Sequence, residues 1–169
     1  TASARAGDDF DTAGPAREAV KRAGDDGKTH YVSAWGIPEL REASAEKSGK
    51  ENAIPAKAAN VLVTPAKQAI FYAILGLVEK GDEVLIPDPA WVSYEPIIEL
   101  AGGKPVRVPA TLETDFRMTP EAVQSRITSK TKMLITNSPS NPTGGVAPPA
   151  DVKGWCDLAK DHDCWLMSD

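Results

Sequence analysis

The chain has 169 residues, 41% hydrophobic and 25% charged, with a net charge of −5 and a pI near 5.1. That length is enough for one domain with a real core. The acidic balance argues against nucleic acid or an anionic membrane as partner, and no apolar run is long enough to span a bilayer.

Pro15 to Ala23, "PAREAVKRA", reads as a short helix opened by proline and stopped by "GDDG". "THYVSAWG" is an irregular aromatic segment. "PELREASAEK", 38–47, is a second helix with proline at its start, and "SGKENAIPAKAAN" reads as a polar loop. The pattern then changes. "VLVT", 61–64, is a short β-branched run that predicts a buried strand. From Ala66 the apolar positions 66, 69, 70, 73, 74, 77 and 78 have helical spacing. "VLIP", 84–87, is the next strand. Residues 91–101 read as a helix bent or started late by Pro96. "VRV", 106–108, is a weaker strand, and Thr119-Pro120 caps and opens a helix to about Ile127. "KMLIT", 132–136, is a strand. Val152, Trp155, Cys156 and Ala159 form a helical stripe, and "CWLMS", 164–168, is the last strand.

Short apolar strands alternating with helices predict βαβ units and a parallel sheet covered on both faces. Ligands of such sheets bind beyond the carboxyl ends of the strands. Here those ends are 64–67, 88–91, 137–144 and 168–169. The helix start at Ala66 has unpaired N–H groups that bind an anion, or is a plain connection. Trp91 stacks on a flat ring or packs into the core. Asn141 bonds a ligand oxygen or only shapes a turn. Asp169 pairs with a protonated ring nitrogen or caps a helix. Together they describe a pocket for pyridoxal phosphate, in which a carboxylate keeps the pyridinium protonated. Cys156 and Cys164 fit free thiols in a reducing compartment, hence the cytoplasm. His30 and His162 lie far apart with no Cys/His cluster, so no metal site is read.

"THYVSAWGIPELREA", "AKQAIFYAI", "GDEVLIPDPAWVSY", "TPEAV", "ITSKTKMLITNSPSNPTGG" and "WLMSD" resemble, in collinear order, the class I aspartate aminotransferase family of pyridoxal-phosphate fold type I. The resemblance implies a three-layer α/β/α, mostly parallel large domain over 48–169, incomplete here. It makes 1–47 an N-terminal segment and part of a small domain. It gives Ala66 and Lys67 backbone amides for the phosphate, Trp91 as the plate on the pyridine ring and Asp169 as partner of the ring nitrogen. Asn141 bonds the ring's phenolic oxygen and the substrate carboxylate. Tyr31 reaches the phosphate of a neighbouring subunit, which implies a homodimer with shared active sites. Gly7 lies near a segment over the substrate, and Gly36 near its entrance; Trp91 and Asn141 also face it. Cis bonds are implied before Pro89 and Pro142. The activity implied is ping-pong transamination between an aspartate-like amino acid and a 2-oxo acid. A β-lyase, a cyclopropane-carboxylate synthase or a non-catalytic regulatory relative shares the same features.

The resemblance also implies what lies beyond Asp169: the Schiff-base lysine, a tyrosine and the arginine for the substrate carboxylate. No catalytic residue is therefore expected within these residues. Lys67 is a helix-start residue and Ser44-x-x-Lys47 a coincidence of spacing. "VLVT" is expected to lack its sheet neighbours, and 169 residues by themselves to fold poorly and be inactive. "TPAKQ" is one residue shorter than the family turn, and Pro65 brings no N–H to it. "AGDDFDT" is likewise one residue shorter than the family's N-terminal segment.

Overall fold

The computed structural model describes residues 11–169. They divide into two compact units at Thr64/Pro65. The first holds α1 (Gly14–Asp25) and α2 (Pro38–Asn52). The second holds α3 (Ala66–Leu77), β1 (Glu83–Asp88), α4 (Tyr94–Leu100), β2 (Lys104–Pro109), α5 (Pro120–Gln124), β3 (Thr131–Thr136), α6 (Pro149–Asp161) and β4 (Trp165–Ser168). One-turn 3-10 helices stand at Ala58–Asn60 and Leu112–Thr114. No described helix is long and apolar enough to cross a membrane.

In the second unit the four strands are parallel, in the order β2-β1-β3-β4. The central strands β1 and β3 are buried almost throughout, because helices cover both faces of the sheet. Side chains alternate across it. Val84, Ile86, Met133 and Ile135 meet Ile70 and Ile74 of α3 and Tyr94, Ile97 and Ile98 of α4. Leu85, Leu134 and Val108 meet Val123 of α5 and Trp155 of α6. The result is a three-layer α/β/α arrangement. Trp155 sits in the second layer with its polar atom satisfied, its indole N–H donating to the Met118 carbonyl at 2.9 Å.

Local signals explain most element ends. The Thr119 hydroxyl accepts from the Ala122 N–H at 3.3 Å and caps α5. Proline occupies the first turn of α1, α2 and α6. The helix expected from residue 91 starts at Tyr94, with Pro96 in its first turn where the missing N–H costs nothing. α2 runs past the expected Lys47 to Asn52, ending on Ala53 with φ +54.

One element is corrected. Residues 61–64 form no strand; they are extended but join no ladder among the described residues. A strand needs a partner for its backbone groups, and this segment shows none of the sheet neighbours it was expected to lack; its backbone bonds within the first unit instead. The Val63 N–H donates to the Trp35 carbonyl at 3.1 Å. The Arg41 guanidinium donates to the carbonyls of Val61 at 2.9 Å and Ala58 at 2.7 Å. Its cation lies 5.8 Å over the Trp35 ring. These bonds tie residues 58–63 to α2, so the compact units do not follow the 47/48 division. We keep that division as a proposal about the domains of the whole protein.

Candidate active site

The carboxyl ends of β1, β3 and β4 and the start of α3 close around a cavity of about 330 Å³. Its wall is formed by Ala66, Lys67, Ile70, Trp91, Asn137, Asn141 and Asp169. Five residues singled out from the sequence are therefore brought together: Ala66, Lys67, Trp91, Asn141 and Asp169. They arrive from four segments, Ala66 and Lys67 from the start of α3 and Trp91, Asn141 and Asp169 from the ends of β1, β3 and β4, as the geometry of parallel sheets allows.

At the start of α3, the N–H groups of Gln68 and Ala69 turn back to the Pro65 carbonyl at 2.8 and 3.2 Å. The Ala66 and Lys67 N–H groups have no intrahelical acceptor, as in the first turn of any helix, and remain available to an anion. Pro65, lacking an N–H, adds no third donor. The Lys67 ammonium lies 5.4 Å over the Trp91 ring.

Trp91 follows β1 and the cis Asp88–Pro89 bond. Half-buried, it meets Tyr94 edge to face, with centroids 5.3 Å apart and planes at 79°. This contact fixes the orientation of the indole.

The 137–145 loop leaves β3 with two cis bonds, Ser138–Pro139 and Asn141–Pro142. The second and the Asp88–Pro89 bond are those implied by the family likeness; the first is an addition. The loop closes on itself through the Gly144 N–H to the Ser140 carbonyl, 2.7 Å, and the Ser140 N–H to the Gly145 carbonyl, 2.8 Å. A Cβ on Gly145 would stand 2.8 Å from the Phe116 carbonyl oxygen, so only glycine lets the loop lie against that neighbour.

Asp169 follows β4, its N–H donating to the Thr136 carbonyl at 2.9 Å. Its carboxylate accepts a hydrogen bond from the Tyr94 hydroxyl. Burial pushes the Tyr94 hydroxyl well above the ordinary tyrosine range, and the Asp169 carboxylate adds to the effect.

Two polar residues of this site escape the sequence reading. Asn137 bridges the loop and the end of β4. Its side-chain oxygen accepts from the Asn141 N–H at 2.5 Å, and its amide donates to the Asp169 carbonyl at 3.0 Å. Its position directly after β3, at a carboxyl strand end, is the signal that would have found it. Tyr94 lies three residues past Trp91, inside what reads as continuous helix. Only the tertiary contact with Asp169 reveals its role.

Two further expected residues, Tyr31 and Gly36, belong to the chain's other unit, and a third lies outside the described residues. Tyr31 is fully exposed on the first unit. Gly36 has φ +96, and a Cβ there would stand 2.5 Å from the Cβ of Val63. Close packing and backbone conformation thus account for that glycine without a ligand. Gly7 lies outside the described residues.

A parallel α/β unit with a helix start, an aromatic plate, an amide and a carboxylate at its strand ends defines a ligand-binding α/β domain of the cofactor-enzyme class. The chain belongs to the aminotransferase class I and II family, whose sequence profile matches residues 6–169. It is 45% identical over 163 residues to an aspartate/prephenate aminotransferase of Cereibacter sphaeroides, covering 95% of this chain and 41% of that protein. It is 48% identical over 164 residues to an aspartate aminotransferase of Pyrococcus abyssi, covering 95% of this chain and 42% of that protein. A solved single mutant of Thermus thermophilus aspartate aminotransferase superposes with a TM-score of 0.93 at 43% identity, covering 95% of this chain and 42% of that one. An aromatic aminotransferase from Pyrococcus horikoshii gives 0.92 at 44% identity, covering 95% and 44%. The chain thus spans about two-fifths of the length of these relatives.

Proposed function

We propose that the full-length protein is a pyridoxal-phosphate-dependent aminotransferase acting on an aspartate-like amino acid and a 2-oxo acid. The convergence of Ala66, Lys67, Trp91, Asn141 and Asp169 on one cavity carries this reading. The donor set fits the cofactor group by group: two free N–H groups for a phosphate, an indole face for a ring, an amide for a ring oxygen and a carboxylate for a ring N–H. When bound, the cofactor supplies an electron sink for the charge released at the amino acid's α-carbon.

The residues here bind and orient. The Ala66 and Lys67 amides hold the phosphate at the positive end of α3. Trp91, braced by Tyr94, presents a flat face. Asn141, its backbone N–H held by Asn137, would offer its side-chain amide to the ring oxygen and the substrate carboxylate. Asp169 holds a proton at the ring nitrogen. The Schiff-base lysine and the substrate arginine are assigned to the part of the protein following Asp169. The exposed Tyr31 is assigned to a neighbouring subunit's phosphate in a homodimer, with Gly7 and Gly36 near the substrate. Aspartate-like specificity rests on the names of the relatives.

The test is spectroscopic. Purified full-length protein incubated with pyridoxal phosphate is expected to acquire a yellow absorbance band that changes when aspartate is added. A protein that stays colourless and takes up no cofactor would sink the reading.

A further inference from the structure

We propose that Tyr94 is a positioning residue for the ring-nitrogen partner: one side chain that fixes both the carboxylate of Asp169 and the plane of Trp91. The inference rests on the cofactor reading above and extends it to a residue with no direct ligand contact.

Three observations carry it. First, Tyr94, the first residue of α4, is completely buried, at 0% exposure, in the core layer that α3 and α4 share with the sheet. It is therefore a fixed point for Asp169, which directly follows β4. Second, its hydroxyl donates to one oxygen of the Asp169 carboxylate. A carboxylate has about four acceptor sites. The other oxygen thus remains for a ring N–H, and the hydroxyl sets its direction. Third, its ring edge meets Trp91 with centroids 5.3 Å apart. Plate and carboxylate are thereby referenced to the same buried anchor.

The hydroxyl is well suited to the task. Burial first, and Asp169 second, push its titration far above working pH, so it stays a donor throughout. The other charged side chain lining the cavity is Lys67, from α3.

The experiment uses the full-length protein and Tyr94→Phe, which keeps the ring packing and removes the hydroxyl. Two quantities are read: the affinity of cofactor-free protein for pyridoxal phosphate, and the pH midpoint at which the bound cofactor's visible band changes. Tyr94→Phe is expected to weaken binding about tenfold, the size of one hydrogen bond to a charged group, and to move the pH midpoint. Because Tyr94→Phe keeps the buried ring, the melting temperature of the cofactor-free variant is expected to stay within about 4 °C of wild type. Unchanged affinity and midpoint in a wild type that binds cofactor would overturn the inference and leave the proposed function standing. A wild type that binds no cofactor would overturn both. If Tyr94→Phe fails to fold, Tyr94→His, which restores an N–H donor, replaces it. Binding within about threefold of wild type supports the inference, and a loss of tenfold or more overturns it.

Discussion

The two units of this chain are held by different forces. In residues 65–169 two apolar layers flank a parallel sheet, and Ile74, Leu85, Ile98, Val108, Leu134 and Ile135 are buried to 1% exposure or less. In residues 11–64 the only buried hydrophobic side chain is Ala45, while Val20, Tyr31, Val32, Trp35, Ile37, Leu40, Ile54 and Leu62 are exposed. There the chain is organised by polar contacts instead: the Arg41 bonds to Val61 and Ala58, and surface ion pairs such as Lys21–Glu18 at 2.8 Å. Exposed pairs of that kind contribute little. The contrast teaches where function can be read. The unit with a core brings its candidate residues together around one cavity. The other unit carries Tyr31 and Gly36, the first fully exposed and the second packed against Val63.

The largest expected effect tests the core itself. Ile135→Ala in β3 is expected to destabilise the full-length protein by about 2–5 kcal/mol in denaturant titration, through lost burial and a residual cavity. Val32→Ala, at 65% exposure among the described residues, is expected to cost clearly less than Ile135→Ala in the same titration. Equal effects would break the comparison. Next in size is Gly36→Ala, which places a Cβ against Val63 at positive φ. A loss of about 1–3 kcal/mol would show that the first unit is tightly built at that one point; no loss would mean that the 35–63 contact is not made in solution.

The smallest effect concerns a polar group under the sheet. The Thr128 hydroxyl and then the Lys104 ammonium hold the Glu83 carboxyl below its ordinary value of 4.5. Since the folded value is the lower one, this stabilisation is present above about pH 4.5 and is lost as pH falls through the folded value. Glu83→Gln is expected to cost about 1 kcal/mol at neutral pH and to flatten the acid limb of the stability profile. A variant whose acid limb superposes on wild type would remove Glu83 from the account.

Much of the second unit was legible because its signals are local. A run such as "KMLIT" has few options other than a strand covered on both faces, and Thr119-Pro120 marks a helix start by its own chemistry. The same holds for the site. Ala66, Trp91, Asn141 and Asp169 were recognisable because parallel sheets place strand ends on one edge. The failure at 61–64 is instructive for the opposite reason. "VLVT" has strand composition, but a ladder partner is a property of the fold, and among the described residues it has none, in line with the sheet neighbours it was expected to lack.

What the sequence determined by itself was thus the alternation of strands and helices, the polar and aromatic residues at the strand ends, and the family they belong to. The first two follow from period, turn chemistry and spacing along the chain, and the family from the collinear motifs that resemble it. The tertiary structure alone decided how these residues are held: Asn137 spanning the loop and Asp169, and Tyr94 bonding a carboxylate 75 residues away. Such contacts depend on which side chains the packed layers bring within hydrogen-bond reach, and spacing along the chain carries no record of that distance.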